Sequence, residues 1–238
     1  MDVKKMAPMI AAFIILIAAI VVFFLSYTSQ DINPPQSPLV TPTFFPTSPT
    51  PTPTPKINTF QGDSLSFDYP KLLTFEGNEQ TGIILSHKVQ YPHQDPCDFS
   101  EGVQELEYIT DFKTEIKVFS QTLEEVIINS QNSSFVQDNL IQGELQISPG
   151  FIDEIQNGDL SGYRVTQGVE GCGKYDYYYS KNGQILHFVR YFIPELNPIN
   201  SNSQEYLSIE GIIHPEQETQ IFDQIISSVE LNSQSSSL

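Results

Sequence analysis

The chain reads as an α+β protein: a central antiparallel β-sheet with helices packed on it, preceded by one transmembrane helix. Three observations point there. Short runs after residue 57 alternate apolar and polar residues, and two Asn-Gly pairs separate such runs, which is the chemistry of tight hairpins. Near the C-terminus, Ile221, Phe222, Ile225, Ile226 and Val229 form a stripe of helical period. Ahead of all this, every residue from Met9 to Leu25 is apolar.

That first run sits inside an uncharged window between Lys5 and Asp31, long enough for a helix to cross a bilayer. Lys4 and Lys5 precede it, so the positive-inside bias places residues 1–8 in the cytoplasm, 9–27 in the membrane as a single-pass anchor, and the remainder outside. A cleaved signal peptide also begins with lysines and an apolar core. Here the core exceeds the usual length of about 7–15 residues and Ser26 to Ser29 offer no small-x-small cleavage site, so the segment is expected to be retained. Residues 28–56 are rich in Pro, Thr and Ser, with every second residue proline from Pro49 to Pro55. Such a stretch lacks the donors and apolar surface to join a core; in polyproline II it extends about 3.1 Å per residue as a semi-rigid stalk.

Residues 57–231 are expected to form one globular domain, and 232–238 a Ser-rich tail. "LSFDYP" (Leu65 to Pro70) alternates as a half-buried strand and stops at proline. Strands are also expected around Ile83–Val89 and Thr114–Ser120. The period then changes: Leu123, Val126 and Ile127 have helical spacing, and Thr122 with Glu125 has that of a capping box. Asn157-Gly158 and Asn182-Gly183 each join two strands. Gln184 to Ile193 is apolar on both faces apart from His187 and Arg190, as befits a central strand. "EYLSIEGII" reads as one more strand. Pro215 then opens the last helix, with Glu216 and Glu218 at its positive end.

Charge and cysteines narrow the function classes. Residues 56–238 carry 9 Lys plus Arg against 27 Asp plus Glu, so the net charge of −18 lies there. Nucleic acid is not an expected partner, because binding phosphates requires a basic face and these cations are scattered singly. The two cysteines, Cys97 and Cys172, lie in the loop-like contexts "DPCDF" and "EGCGK". Outside the cytoplasm they are expected to form a disulfide. His93 four residues before Cys97 makes too few ligands for a zinc site, and neither a metal nor a cofactor is expected.

The opening Phe67, Tyr69 and Pro70, the helix near Leu123 to Asn129 and the closing Ile221 to Val229 together resemble the PsbP/Mog1-like family. The resemblance covers most of residues 60–231. It implies an α/β/α sandwich, and a role in binding other proteins more than in catalysis.

Three further motifs carry competing readings. "GDSLS" (Gly62 to Ser66) resembles the nucleophile block of GDSL-type esterases, with Ser64 as nucleophile. His214 has Gly211 where the orienting aspartate of such an enzyme would stand, so a base is missing, and no catalytic residue is assigned. "DEIQNGD" (Asp153 to Asp159) has Ile155 and Arg164 at positions where a calcium loop needs oxygen ligands, so it is read as a hairpin turn. Tyr175, Tyr177 and Tyr179 project to one face of a strand. They either form an exposed row that stacks on glycan or protein, or pack under a helix. The expected function is therefore a non-catalytic binding module for an envelope protein. The alternative is a glycan or cell-wall binding domain using the tyrosine strand, and the remote one a serine esterase.

Overall fold

The computed structural model describes residues 56–99, 104–130 and 133–232. The expected anchor, residues 9–27, and the linker up to residue 55 lie outside the described residues, among which no helix is long and apolar enough to cross a membrane.

The architecture is α+β, built on a seven-stranded sheet with every neighbouring pair antiparallel. Its order is β3 (Thr74–Asn78), β4 (Gly82–Gln94), β5 (Glu105–Phe119), β11 (Gln184–Tyr191), β10 (Cys172–Lys181), β9 (Leu160–Val169) and β8 (Ile152–Asn157). Hairpins make most of these neighbours. Between β10 and β11, Asn182 and Gly183 have φ of 54° and 76°, the left-handed pair a two-residue turn needs to match strand twist. The expected central strand, β11, is fourth of seven, and its first six residues are buried.

Alternation along the strands gives the sheet two apolar faces. Leu186, Phe188, Tyr177 and Tyr179 point to one, where they meet Phe222, Ile225 and Ile226 of helix α4 (Pro215–Ser227). The same layer includes a small sheet of β1 (Ile57–Gln61), β2 (Leu65–Pro70) and β12 (Glu230–Leu231), whose Leu65 and Phe67 join that core. Each such buried side chain contributes about 1.5–3 kcal/mol. Ile185 and Tyr178 point to the opposite face, covered by Val126 and Ile127 of α1 (Leu123–Ser130) and Val136 of α2 (Ser134–Asp138). The two-stranded hairpin β6 (Leu140–Ile141) and β7 (Glu144–Leu145) adds Leu145 to this cover. The capping box before α1 is formed: the Thr122 N–H donates to Glu125 Oε2 at 2.9 Å, and the Glu125 N–H to Thr122 Oγ1 at 3.3 Å.

Two strands exceed their expected lengths. β4 and β5 run past the last residues paired on either side, Ser86 with β3 and Thr114 with β11, so they continue as a two-stranded arm. Register shifts after His87 and Gln90 bend it. Ile109 of the arm packs with Leu196, Tyr206 and Ile212, a third cluster at the end of the sheet. This corrects the reading of "EYLSIEGII". Ser203–Leu207 is a short helix, α3, followed by a turn in which Gly211 has φ of 90°. Tyr206, Ile209 and Ile212 recur every third residue and pack toward the arm, a spacing that suits a helical turn and not a strand.

Candidate functional site

Three loops meet at the arm's end of the sheet, and the Cys97–Cys172 disulfide joins two of them. The first is the β4–β5 connection. Asp95 Oδ1 accepts the Cys97 N–H at 2.8 Å, and the Asp95 N–H donates to the Gln104 carbonyl at 2.8 Å. The second is the tight turn at Glu170 and Gly171, with φ of 53° and 85°. The φ of Gly171 favours glycine, and a Cβ there would stand 2.9 Å from Asn197 Nδ2, so the Asn197 side chain of the third loop would have to shift. That third loop leaves β11 through the 3₁₀ turn Pro194–Leu196. Asn197 Oδ1 then accepts the Ile199 N–H at 3.0 Å, and Asn200 Nδ2 donates to the Pro194 carbonyl at 3.3 Å.

On this fixed base two large apolar side chains stand in solvent, Phe99 at 62% and Ile199 at 79% exposure. They line a depression of about 590 Å³ together with Pro96, Pro194 and Glu170. The described parts of these loops are held by a covalent bond and by side-chain hydrogen bonds, and groups so held lose little freedom when a partner settles on them. Asn197, Asn200 and Ser201 complete the lining, so apolar and polar groups share this depression with a single carboxylate, Glu170.

A smaller depression of about 260 Å³ lies beside the same 3₁₀ turn, against the N-terminus of α4, and Tyr175 lines it. Its floor is an ion pair. Arg190 Nε donates to Glu218 Oε1 at 2.8 Å, Nη2 donates to the other carboxylate oxygen and to Thr219 Oγ1, and the guanidinium lies 5.1 Å from the Phe222 ring. Burial pushes the Glu218 carboxyl above the usual carboxylate range, against the opposing pull of Arg190. With its charge matched and its donors engaged, Arg190 holds α4 to the sheet.

The expected tyrosine row is not an exposed surface. Tyr177 and Tyr179 are 8% and 3% exposed and lie beneath α4, with the Tyr177 ring centroid 5.0 Å from that of Phe222. The helix stripe must bury against something, and this strand face is what it covers. Tyr175 alone of the three reaches an opening. The cysteines meet as expected, with their Cα atoms 5.8 Å apart. Ser64 belongs to a turn organised around an acid: the N–H groups of Asp63, Ser64 and Leu65 all donate to the Glu79 carboxylate at 3.0–3.2 Å. No imidazole is among the hydrogen-bond partners of Ser64 in the described residues. Asp153, in the calcium-like stretch, accepts from Arg164 at 2.8 Å and from the Gly150 N–H at 3.1 Å. Among the described residues no three His, Cys, Asp or Glu side chains converge as a metal site would require.

Phe99 and Ile199 were not legible as site residues. Their one signal was context, since both follow Asp/Asn-Pro turn sequences and one lies two residues after a cysteine.

No family model matches the chain, and no curated protein matches it. Among solved structures it is similar to a crystal structure from Bacteroides thetaiotaomicron VPI-5482, with 9% identity and a TM-score of 0.37. The match covers 76% of this chain and 49% of the other, so the chain spans about half the length of that protein. A likeness this loose carries no inference.

Proposed function

We propose that the chain is a membrane-anchored, extracytoplasmic, non-catalytic binding module, held off the bilayer by the proline-rich linker, with the disulfide-locked platform as its contact face. In this reading the domain is an α/β/α sandwich of the PsbP/Mog1-like kind, anchored through residues 9–27, and its partner is an envelope protein. The observation that carries the reading is the exposure of Phe99 and Ile199 on a base held by a covalent bond and three side-chain hydrogen bonds. Large apolar side chains in water on a rigid support are the makings of a protein contact. A partner with an apolar anchor residue and a flanking cation suits the depression and Glu170 at its edge. The glycan alternative is weakened by the burial of Tyr177 and Tyr179, which leaves Tyr175 without a row.

The test is site-specific photo-crosslinking of the full-length chain in its native membrane. A photoreactive residue at position 199 is expected to capture one defined protein, and Phe99→Ala to abolish that capture. The same probe at Leu72, 50% exposed and outside the platform, is the control. Equal capture at both positions, or retention of the chain only on wall polymer, would sink the proposal.

A further inference from the structure

The disulfide ties the first loop of the platform to the second, and a buried side-chain contact ties the strand leading into the first loop to the third. His93 lies near the end of β4, four residues before Cys97, and Glu195 lies in the 3₁₀ turn that leads to Ile199. His93 Nε2 is 3.0 Å from Glu195 Oε1, and the two side chains are 2% and 7% exposed. The other ring nitrogen, Nδ1, is 2.8 Å from the Tyr91 carbonyl oxygen. A carbonyl only accepts, so Nδ1 must carry the hydrogen.

That requirement fixes the proton count. A neutral imidazole has a single N–H, and here it is engaged with Tyr91. Nε2 would then present a lone pair to Glu195, and an ionised carboxylate would oppose it with another, in a site sealed from water. The contact therefore holds one proton more than a neutral imidazole and a carboxylate, either on Nε2 or on the carboxyl oxygen. The other sheet histidines make no such demand. His87 turns Nδ1 to Asp111 at 2.7 Å, and His187 turns Nε2 to Asp176 at 2.9 Å while its Nδ1 has no partner. A neutral ring satisfies each.

Among the described residues, the groups around His93 come from four elements. β4 supplies the Tyr91 carbonyl and ring, and β5 places Leu106 opposite. The 3₁₀ turn supplies Glu195. From α3 come Tyr206, its ring centroid 5.7 Å away, and Glu205, whose carboxylate accepts the Tyr91 hydroxyl at 2.5 Å. The charged neighbours among these groups are acids.

We propose that the platform is locked by a proton shared between His93 and Glu195, and that loss of this proton releases the 3₁₀ turn from β4 and so regulates partner contact by pH. The regulatory part rests on the platform being the contact face. The lock itself does not. Since the closed state holds one proton that the open state gives up, the opening equilibrium rises by up to about tenfold per pH unit. An imidazole in water releases its extra proton near pH ~6.5, so pH values of about 6 and about 8.5 span the change.

The experiment is hydrogen exchange of the segment after β11, roughly residues 193–207, in the full-length wild-type chain at both pH values, with rates corrected for base catalysis. Opening is expected to increase at least about tenfold from the lower to the higher pH. In Glu195→Gln an amide N–H donates to the lone pair of a neutral ring, so the contact needs no extra proton and the change is expected to stay within about twofold. A wild-type change below about twofold, or a variant that tracks wild type, overturns the lock. The ¹⁵N spectrum of histidine-labelled wild-type protein is an independent check that needs no variant. A His93 ring whose Nδ1 is unprotonated at the lower pH also overturns it, because Nε2–H then donates to an ionised Glu195 and no extra proton is needed. Crosslinking at position 199 separates the two claims. Capture that is equal at both pH values overturns the regulation, whereas absence of capture at either pH counts against the contact face and not against the lock.

Discussion

Replacing Cys97 and Cys172 together by alanine removes a constraint whose size follows from where the bond falls in the chain. The bonded residues are 75 apart, and the segment between them includes β5, both helices of the second sheet face, β8 and β9. In the chain-entropy treatment, closing a loop of that length stabilises the fold by about 4.5 kcal/mol. For a domain of this size that corresponds to a fall in Tm of about 10–15 °C. The assay is thermal unfolding of the full-length chain followed by the near-ultraviolet circular dichroism of its buried tyrosines. Reductant added to the wild type should reproduce the shift. The loss should also have a place: amide protection near Cys97 should fall first, while β11, buried on both faces, keeps its protection until global unfolding. A fall worth less than about 1 kcal/mol would refute the reasoning, because it would mean that the unfolded chain gains almost no freedom when the loop opens.

Two further outcomes follow from the core. Phe222→Ala empties a fully buried site between Tyr177 and Phe188 and should cost about 3–5 kcal/mol in denaturant unfolding, whereas Leu72→Ala, half exposed, should stay within about 0.5 kcal/mol. Alkaline titration should be cooperative. Burial raises the hydroxyls of Tyr177 and Tyr179, and burial followed by the hydrogen bond to Glu115 raises Tyr191, while the same groups in an unfolded chain ionise near pH ~10. With folded values above the unfolded one, their contribution to stability is complete below pH ~10 and is lost as pH climbs past it. Absorbance at the tyrosinate band should therefore rise in a sharp step with unfolding. A gradual titration of all tyrosines near their free value would show that these rings are not sealed.

Local features were legible to the extent that they depend on neighbouring residues. The Thr122–Glu125 box, the Asn182-Gly183 turn, the alternation of "LSFDYP" and the stripe of α4 each involve contacts within a few positions, and each formed. "EYLSIEGII" was misread because its apolar residues suit a strand by composition, yet their three-residue spacing answers to the arm of β4 and β5. The length of that arm was itself hidden: Pro92 and the charged residues near Glu105 interrupt the strand signal, and the two strands sustain each other only when paired. The candidate site was least visible, since Phe99, Glu170 and Ile199 come from three loops spread over a hundred residues.

The sequence by itself determined a run of apolar residues fit for a bilayer, a proline-rich spacer, an acidic domain of strands and amphipathic helices, and two cysteines in loop-like sequence contexts. These follow from composition, backbone preference and period, which operate over a few residues at a time. Only the tertiary structure decided which strand face α4 would cover, and therefore that Tyr177 and Tyr179 are core. It likewise decided that His93 would meet Glu195 across 102 positions, with both ring nitrogens facing acceptors. The physical reason is that burial and proton count depend on what other segments bring to a side chain, and that is settled when the sheet closes.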